Sequence, residues 1–205
     1  MEPDKKLFQA IKPESDKIMI IIKNTLKMLG NRIYIDKNGE KKRLLNPDQS
    51  LKSMEDRGDG FFVIKADNGD NYAIKIIFQK ITATGKNSVV SEFFKEYAKY
   101  KKIIVAHDFN SKIIDYVSKH HTQIFKEHVL LEDIISNRDQ PKFELLSPTE
   151  MEQVKLEYNA TDYTIDKLLK TDAITKYFAL KKGDIIRIKR PSQTSGWAIA
   201  YRIVM

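Results

Sequence analysis

Apolar residues first recur at helical spacing at Ile18, Ile22, Leu26 and Leu29. That stripe predicts an amphipathic helix over residues 16–29, capped by Ser15 and ended by Gly30. The period then shortens. Residues 32–35 and 43–45 flank Asn38-Gly39, and residues 61–65 and 72–78 flank Asp67-Asn68-Gly69-Asp70. Each pair reads as a β-hairpin. The polar stretch 46–60 between them reads as loop. Ser88 or Ser91 opens a helix to about Tyr100 that buries Val90, Phe93, Phe94 and Tyr97. Residues 102–106 form a short buried strand, and Asn110 or Ser111 caps a helix to about Lys119. Residues 124–131 read as a strand followed by a short helix. This strand–helix–strand rhythm predicts an α/β sandwich through the middle of the chain.

Asn137-Arg138-Asp139-Gln140-Pro141 is loop chemistry and marks a boundary between residues 1–140 and 141–205. Beyond it, Ser147-Pro148-Thr149-Glu150 is a capping box with proline at the first helical position, and its helix should reach Tyr158. A shorter helix over 172–179, capped by Thr171, leads into a terminal hairpin. On its first arm Ile186 and Ile188 point one way, with Arg187 and Lys189 opposite. On its second arm Trp197, Ile199, Tyr201, Ile203 and Met205 share a face. A polar loop over 190–196, closed by Gly196, joins the arms. So apolar a final strand should be docked against a neighbour. The fold class that follows is α+β in two domains.

Composition narrows the class without naming it. The 205 residues carry 41% hydrophobic and 31% charged side chains, the balance of an ordinary folded chain. No apolar run exceeds the five residues Ile18 to Ile22, so no membrane span is expected, and the polar start of the chain does not read as a signal peptide. Without cysteine there is no disulfide, thiolate metal site or cysteine nucleophile, which fits an intracellular setting. The net charge of +8 fits a polyanion nearby or simple solubility.

The terminal stretch carries a more specific signal. Leu180-Lys181-Lys182-Gly183, the basic strand to Lys189, then Arg190, Ser192, Thr194, Gly196 and Tyr201-Arg202-Ile203 fall in one register. They resemble the C-terminal assembly module of the fifth subunit shared by eukaryotic DNA-dependent RNA polymerases, which has a counterpart in archaeal RNA polymerase. Asp172 and Tyr177-Phe178 extend the match, which covers residues 143–205. Ala173 stands where that family usually has proline, and Trp197 where Arg or Lys is common. The resemblance implies a small assembly module docked on the largest polymerase subunit through Lys181, Lys182, Gly183, Arg187, Arg190, Ser192, Thr194, Gly196, Tyr201 and Arg202. It also implies an N-terminal jaw module of nuclease-like α/β fold near downstream duplex DNA. Residues 1–140 match that jaw only in length and element order. The family's Thr-Pro near DNA has no counterpart in the turn His107-Asp108-Phe109-Asn110-Ser111-Lys112. Lys86, Asn110 and Lys112 are candidates for weak phosphate contacts without sequence readout. Drift in the N-terminal part and a Lys/Ile/Asn-rich composition point to a large cytoplasmic DNA virus, placing the protein in the host cytoplasm and the virion. A cellular version would be nuclear. Other polymerase subunits are the remaining partners, with no cofactor and no metal.

Catalytic alternatives are thin. His120-His121 and His128 lack helical ligand spacing, and His107 lacks a nucleophile motif. A metal-dependent nuclease of this architecture needs an acid and a Glu-x-Lys or Asp-x-Lys on adjacent strands. Only Glu40-Lys41-Lys42 and Asp4-Lys5-Lys6 fit, one beside a hairpin turn and the other in the N-terminal segment. No phosphate-binding glycine loop and no aromatic–basic ladder is present.

Overall fold

A computed structural model describes residues 12–46, 54–82, 88–137, 140–192, 194 and 196–205. The chain is α+β, with two compact units. One takes in Met1–Gly30 and Leu45–Ile134, the other Asn31–Leu44 and Ile135–Met205. Division at about residue 140 leaves residues 31–44 with the N-terminal part, whereas the structure clusters them with the C-terminal one.

The first unit opens with α1 (Glu14–Asn31). Its start differs from the expected Ser15 cap, because Ser15 lies inside the helix and the Pro13 carbonyl accepts from the Asp16 and Lys17 amides. Gly30 does not stop it either. That residue keeps the helix going by one more position, and a Cβ added there would meet the Leu45 carbonyl at 3.5 Å. After the hairpin described below come β3 (Met54–Asp56), β4 (Phe61–Lys65), β5 (Asn71–Ile81), α2 (Val89–Glu96), β6 (Lys101–Phe109), α3 (Ser111–Lys119), β7 (Thr122–Lys126) and α4 (Glu127–Leu131). Strand β3 occupies part of the stretch expected to be loop. It is a short edge strand, paired to β4 through Asp56↔Phe62, and its Met-Glu-Asp sequence carries no strand pattern of its own.

The five strands form one sheet in the order β3-β4-β5-β6-β7, antiparallel up to β5 and parallel from β5 to β7. Near-continuous apolar runs such as Phe61–Ile64 and Ile103–Ala106 arise because both faces are covered. On one face Phe61, Val63, Ile104 and Ala106 pack with Phe93 and Phe94 of α2, with Tyr97 just beyond it, and with Ile113 and Val117 of α3. Phe62, Ile64, Ile74, Ile103 and Val105, which alternate with them, are also buried. Helix α1 is tied to α4 by Asn24 donating to the Leu130 carbonyl and by the Lys17–Glu127 ion pair. Ser88, rather than Ser91, caps α2, and the helix stops at Glu96, where the buried Lys102 ammonium donates to the Tyr97 and Tyr100 carbonyls.

In the second unit β1 (Ile33–Ile35) and β2 (Lys41–Arg43) pair around a turn with Gly39 at φ 80. Then follow β8 (Lys142–Leu145), α5 (Pro148–Glu157), β9 (Asp166–Leu168), α6 (Ala173–Phe178), β10 (Ile185–Ser192) and β11 (Gly196–Val204). The sheet order is β8-β10-β11-β9, with β9 parallel to β11 and the rest antiparallel. Ile185 and Ile203 face α5 with Leu146 and Val154. Ile186 and Val204 face the other way with Leu168, Leu180, Ile174 and Phe178. Helix α6 is capped by Asp172, whose carboxylate accepts from the Ile174 amide, and not by Thr171. Ala173 is the first helical residue, a position that proline suits but does not require. Among the described residues no helix is long and apolar enough to cross a membrane.

Candidate functional site

The terminal hairpin joins its arms more tightly than its polar sequence suggests. Strand β10 runs on through Arg190, Pro191 and Ser192, with Ser192 opposite Gly196. Arg190 to Ser192 and Gly196, expected to be loop, are therefore strand, with Gly196 at φ 71. Proline is tolerated there for a backbone reason. Val204 bonds inward to Asp184 and Gly183, so by alternation the even-numbered residues of β11 bond toward β10 and the odd-numbered ones point outward. Pro191 opposes Trp197, an outward pair, and its missing N–H deprives no bond between the arms. At the base, Lys181–Asp184 forms a turn with Gly183 at φ 92, and the Asp184 carboxylate accepts from the Lys181 amide at 2.7 Å.

The two faces of the hairpin treat their cations differently. Arg187 and Lys189 share a face with Tyr201, and both pair with Glu144 of β8, at 3.4 and 3.2 Å. The Arg187 guanidinium also lies over the Tyr201 ring at 5.7 Å, and that ring meets Tyr158. Lys41 of β2 joins this group through Glu144 and Glu150. The opposite face carries Arg190 and Arg202, both exposed and without an ion pair among the described residues. Lys181 and Lys182 at the base are exposed as well. The Ser192 and Thr194 hydroxyls stand 3.3 Å apart. Of the ten expected interface residues, Arg187 and Tyr201 thus work inside the unit, while Arg190 and Arg202 project from it. The sequence alternation separates Arg187 from Arg190 but does not reveal Glu144, which is 43 positions away from Arg187.

Glu150 links this network to the helix above it. Its carboxylate accepts from the Ser147 amide at 2.6 Å, completing the capping box of α5, and pairs with Lys41. Burial alone would raise its pKa, but Lys41 and Ser147 outweigh burial and hold it at about 2. A pKa below the ordinary 4.5 means the folded state gains stability above that value and loses it as pH falls toward about 2. Because the group is partly exposed, Glu150→Gln is expected to cost only about 1 kcal/mol at neutral pH. In urea titrations the gap to wild type should close on acidification. A gap that does not change with pH would mean that the cap geometry matters and the charge does not.

The remaining candidates belong to other elements of the chain. Asn110 sits at the N-cap position of α3 with no side-chain cap bond, and Lys112 is exposed on the first turn. Strand β6 extends to Phe109, so His107 and Asp108 belong to the strand and not to a turn. His107 bonds through Nδ1 to the buried Glu127 at 2.9 Å, and Asp108 bridges Lys80 and Lys126. His120 packs against the Phe94 and Tyr116 rings. Glu40 lies exposed beside the β1–β2 turn, with Lys42 held by Asp36 at 2.5 Å. Lys86 and Asp4 fall outside the described residues. Among those described, no group of three or more His, Asp and Glu is placed to hold a metal ion.

Comparison with known proteins adds what geometry does not. Residues 132–204 match the family described as RNA polymerase Rpb5, C-terminal domain. The chain is similar to "DNA-directed RNA polymerase subunit 5" of Acanthamoeba polyphaga mimivirus, 58% identical over 205 residues and the full length of both chains. It is 26% identical over 140 residues to "DNA-directed RNA polymerases I, II, and III subunit rpabc1" of Dictyostelium discoideum, covering 68% of this chain and 60% of that one. "DNA-directed RNA polymerase subunit Rpo5" of Methanosphaera stadtmanae is 38% identical over 72 residues, which is 35% of this chain but 94% of the archaeal one.

Proposed function

The chain belongs to the subunit 5 family of DNA-directed RNA polymerases, and on that premise we propose that it is a non-catalytic subunit anchored by its C-terminal unit to the largest polymerase subunit. The observation that carries the anchoring is the asymmetry of the terminal hairpin. One face neutralises its cations on Glu144, and the other offers Arg190 and Arg202, exposed and without an ion pair among the described residues. Such guanidinium groups suit carboxylates or backbone carbonyls of a partner. Lys181, Lys182 and the turn at Gly183 lie at the base of the hairpin, and the Ser192 and Thr194 hydroxyls at its opposite tip.

The N-terminal unit serves in this reading as the lower jaw beside downstream duplex DNA. The exposed Asn110 and Lys112 at the start of α3 support that role, and Lys86 belongs to the same proposal. Contact would be with phosphates alone, and so weakened by salt and indifferent to base sequence. The likeness to a mimivirus subunit along the whole chain supports a virus-encoded polymerase working in the host cytoplasm. The partners are then the other subunits of that polymerase.

A mild pull-down of tagged full-length protein from its native expression setting tests the assignment. Near-equal recovery of the two largest polymerase subunits is the expected result. A subunit that comes down alone would count against it and bring forward a test for magnesium-dependent DNA cleavage.

A further inference from the structure

One stretch of the second unit is built as a sheet yet stops short of a neighbour. Strand β11 runs from Gly196 to Val204, but β9 pairs with it only at Arg202, Ile203 and Val204. The alternation that sends Val204 inward sends the Ile199 and Tyr201 amides and carbonyls outward. The Met205 amide, on the same outward parity, already bonds across to the Leu168 carbonyl, so the direction is fixed at the paired end. Beyond Arg202 no strand among the described residues takes up that edge.

Unpaired edges are usually blunted by charge, proline or brevity. The other arm follows this rule, since β10 passes beyond its neighbour β8 at Lys189 and continues as Arg190-Pro191. Strand β11 does not. Gly196-Trp197-Ala198-Ile199-Ala200-Tyr201 has no charge and no proline, and Trp197 and Ile199 are 57% and 54% exposed on one face. On the other face stand only Ala198 and Ala200 between Arg202 and Arg190, the latter opposite Ala198.

We propose that this edge accepts an added β-strand, an extended segment of the partner polymerase chain with an apolar side chain over Ile199 and an acidic one toward Arg190. The proposal rests on the docking assigned above and specifies its form. Ala198 marks the Arg190 position on the open part of the edge, whereas the position opposite Arg202 is held by Asp166 of β9. The added segment should therefore carry an acid opposite Ala198, whose small side chain leaves Arg190 room to reach it. Main-chain bonds to Ile199 and to the Tyr201 amide would supply register, and the Arg190 guanidinium would select the sequence.

Ile199→Pro tests this in the full chain. It removes an N–H that points away from β10, so the hairpin itself should keep its bonds. The variant is expected to unfold as wild type does when free, yet to lose assembly into the polymerase on co-expression. Amide exchange of the wild-type subunit provides the second readout, because Ile199 and Tyr201 should exchange roughly tenfold or more slowly in the complex than in the free chain. Equal exchange rates in both states would overturn strand addition, whether or not the proline variant folds. Normal assembly of Ile199→Pro, alongside failure of Arg190→Glu with Arg202→Glu, would also overturn it and leave docking intact. Normal assembly of both variants would remove docking as well. A free subunit that dimerises, and becomes monomeric on Ile199→Pro, would assign the edge to a second copy of this chain instead.

Discussion

The double variant Arg190→Glu with Arg202→Glu is expected to leave the free subunit folded and to abolish its recovery with the largest polymerase subunit. Both side chains are exposed and hold no ion pair among the described residues, so the fold loses little by their reversal. Each reversal would set like charges against each other at a desolvated contact. Losing one partner of such a pair typically costs about 2–5 kcal/mol, and two together should lower affinity by roughly a thousandfold or more. Arg187→Glu makes the control. That residue sits on Glu144 and over Tyr201, so its reversal should lower the midpoint of thermal unfolding before it says anything about partners. Co-purification and thermal unfolding on the same three proteins separate the cases. Undiminished recovery of the double variant would refute docking through this face.

Arg32→Ala should be the most destabilising single change among the polar residues of the second unit. Arg32 is 4% exposed, and its guanidinium donates to the Tyr177 carbonyl at 2.7 Å and to the Lys176 carbonyl at 3.1 Å. These carbonyls belong to the last turn of α6, where the Lys176 carbonyl also accepts from the Ala179 amide. Its neighbour Asn31 reinforces the attachment by donating to the Tyr177 hydroxyl. Truncation takes the guanidinium donor from the buried Tyr177 carbonyl and removes a favourable charge at a helix C-terminus, for a loss of about 2–4 kcal/mol. Arg32→Lys should recover part of this, since a single ammonium cannot reproduce the fork. Urea unfolding checks both, and an Arg32→Ala loss below about 1 kcal/mol would show that water replaces the clamp.

Strong periodic segments were legible from the sequence. The stripe Ile18, Ile22, Leu26 and Leu29, the buried runs at β4 and β6, and the capping box at Ser147 each declare themselves, because a packed face or a cap imposes a local pattern. The short strands β3, β8 and β9 did not. Met-Glu-Asp, Lys-Phe-Glu-Leu and Asp-Lys-Leu are strands only because a longer neighbour supplies their hydrogen bonds. The hairpin was half legible. Its alternation put Arg187 and Arg190 on opposite faces, but only the fold sets Glu144 beside the first and leaves the second without an ion pair among the described residues. Residues 31–44 were read as a hairpin correctly, while their place in the second unit depends on Arg32 and Lys41 meeting groups more than a hundred positions later.

That separation has a consequence for how the protein comes to be made. During synthesis the hairpin Asn31–Leu44 emerges well before β8, α5 and α6, and Lys41 precedes Glu144 by roughly a hundred residues. At typical elongation rates the interval is on the order of 5–20 s. Strands β3 to β7 leave the ribosome within it and can complete their sheet while the hairpin waits for its unit. Nascent chains halted after β7 has emerged but before α6 has done so should therefore hold a folded five-stranded sheet and a hairpin still open to protease.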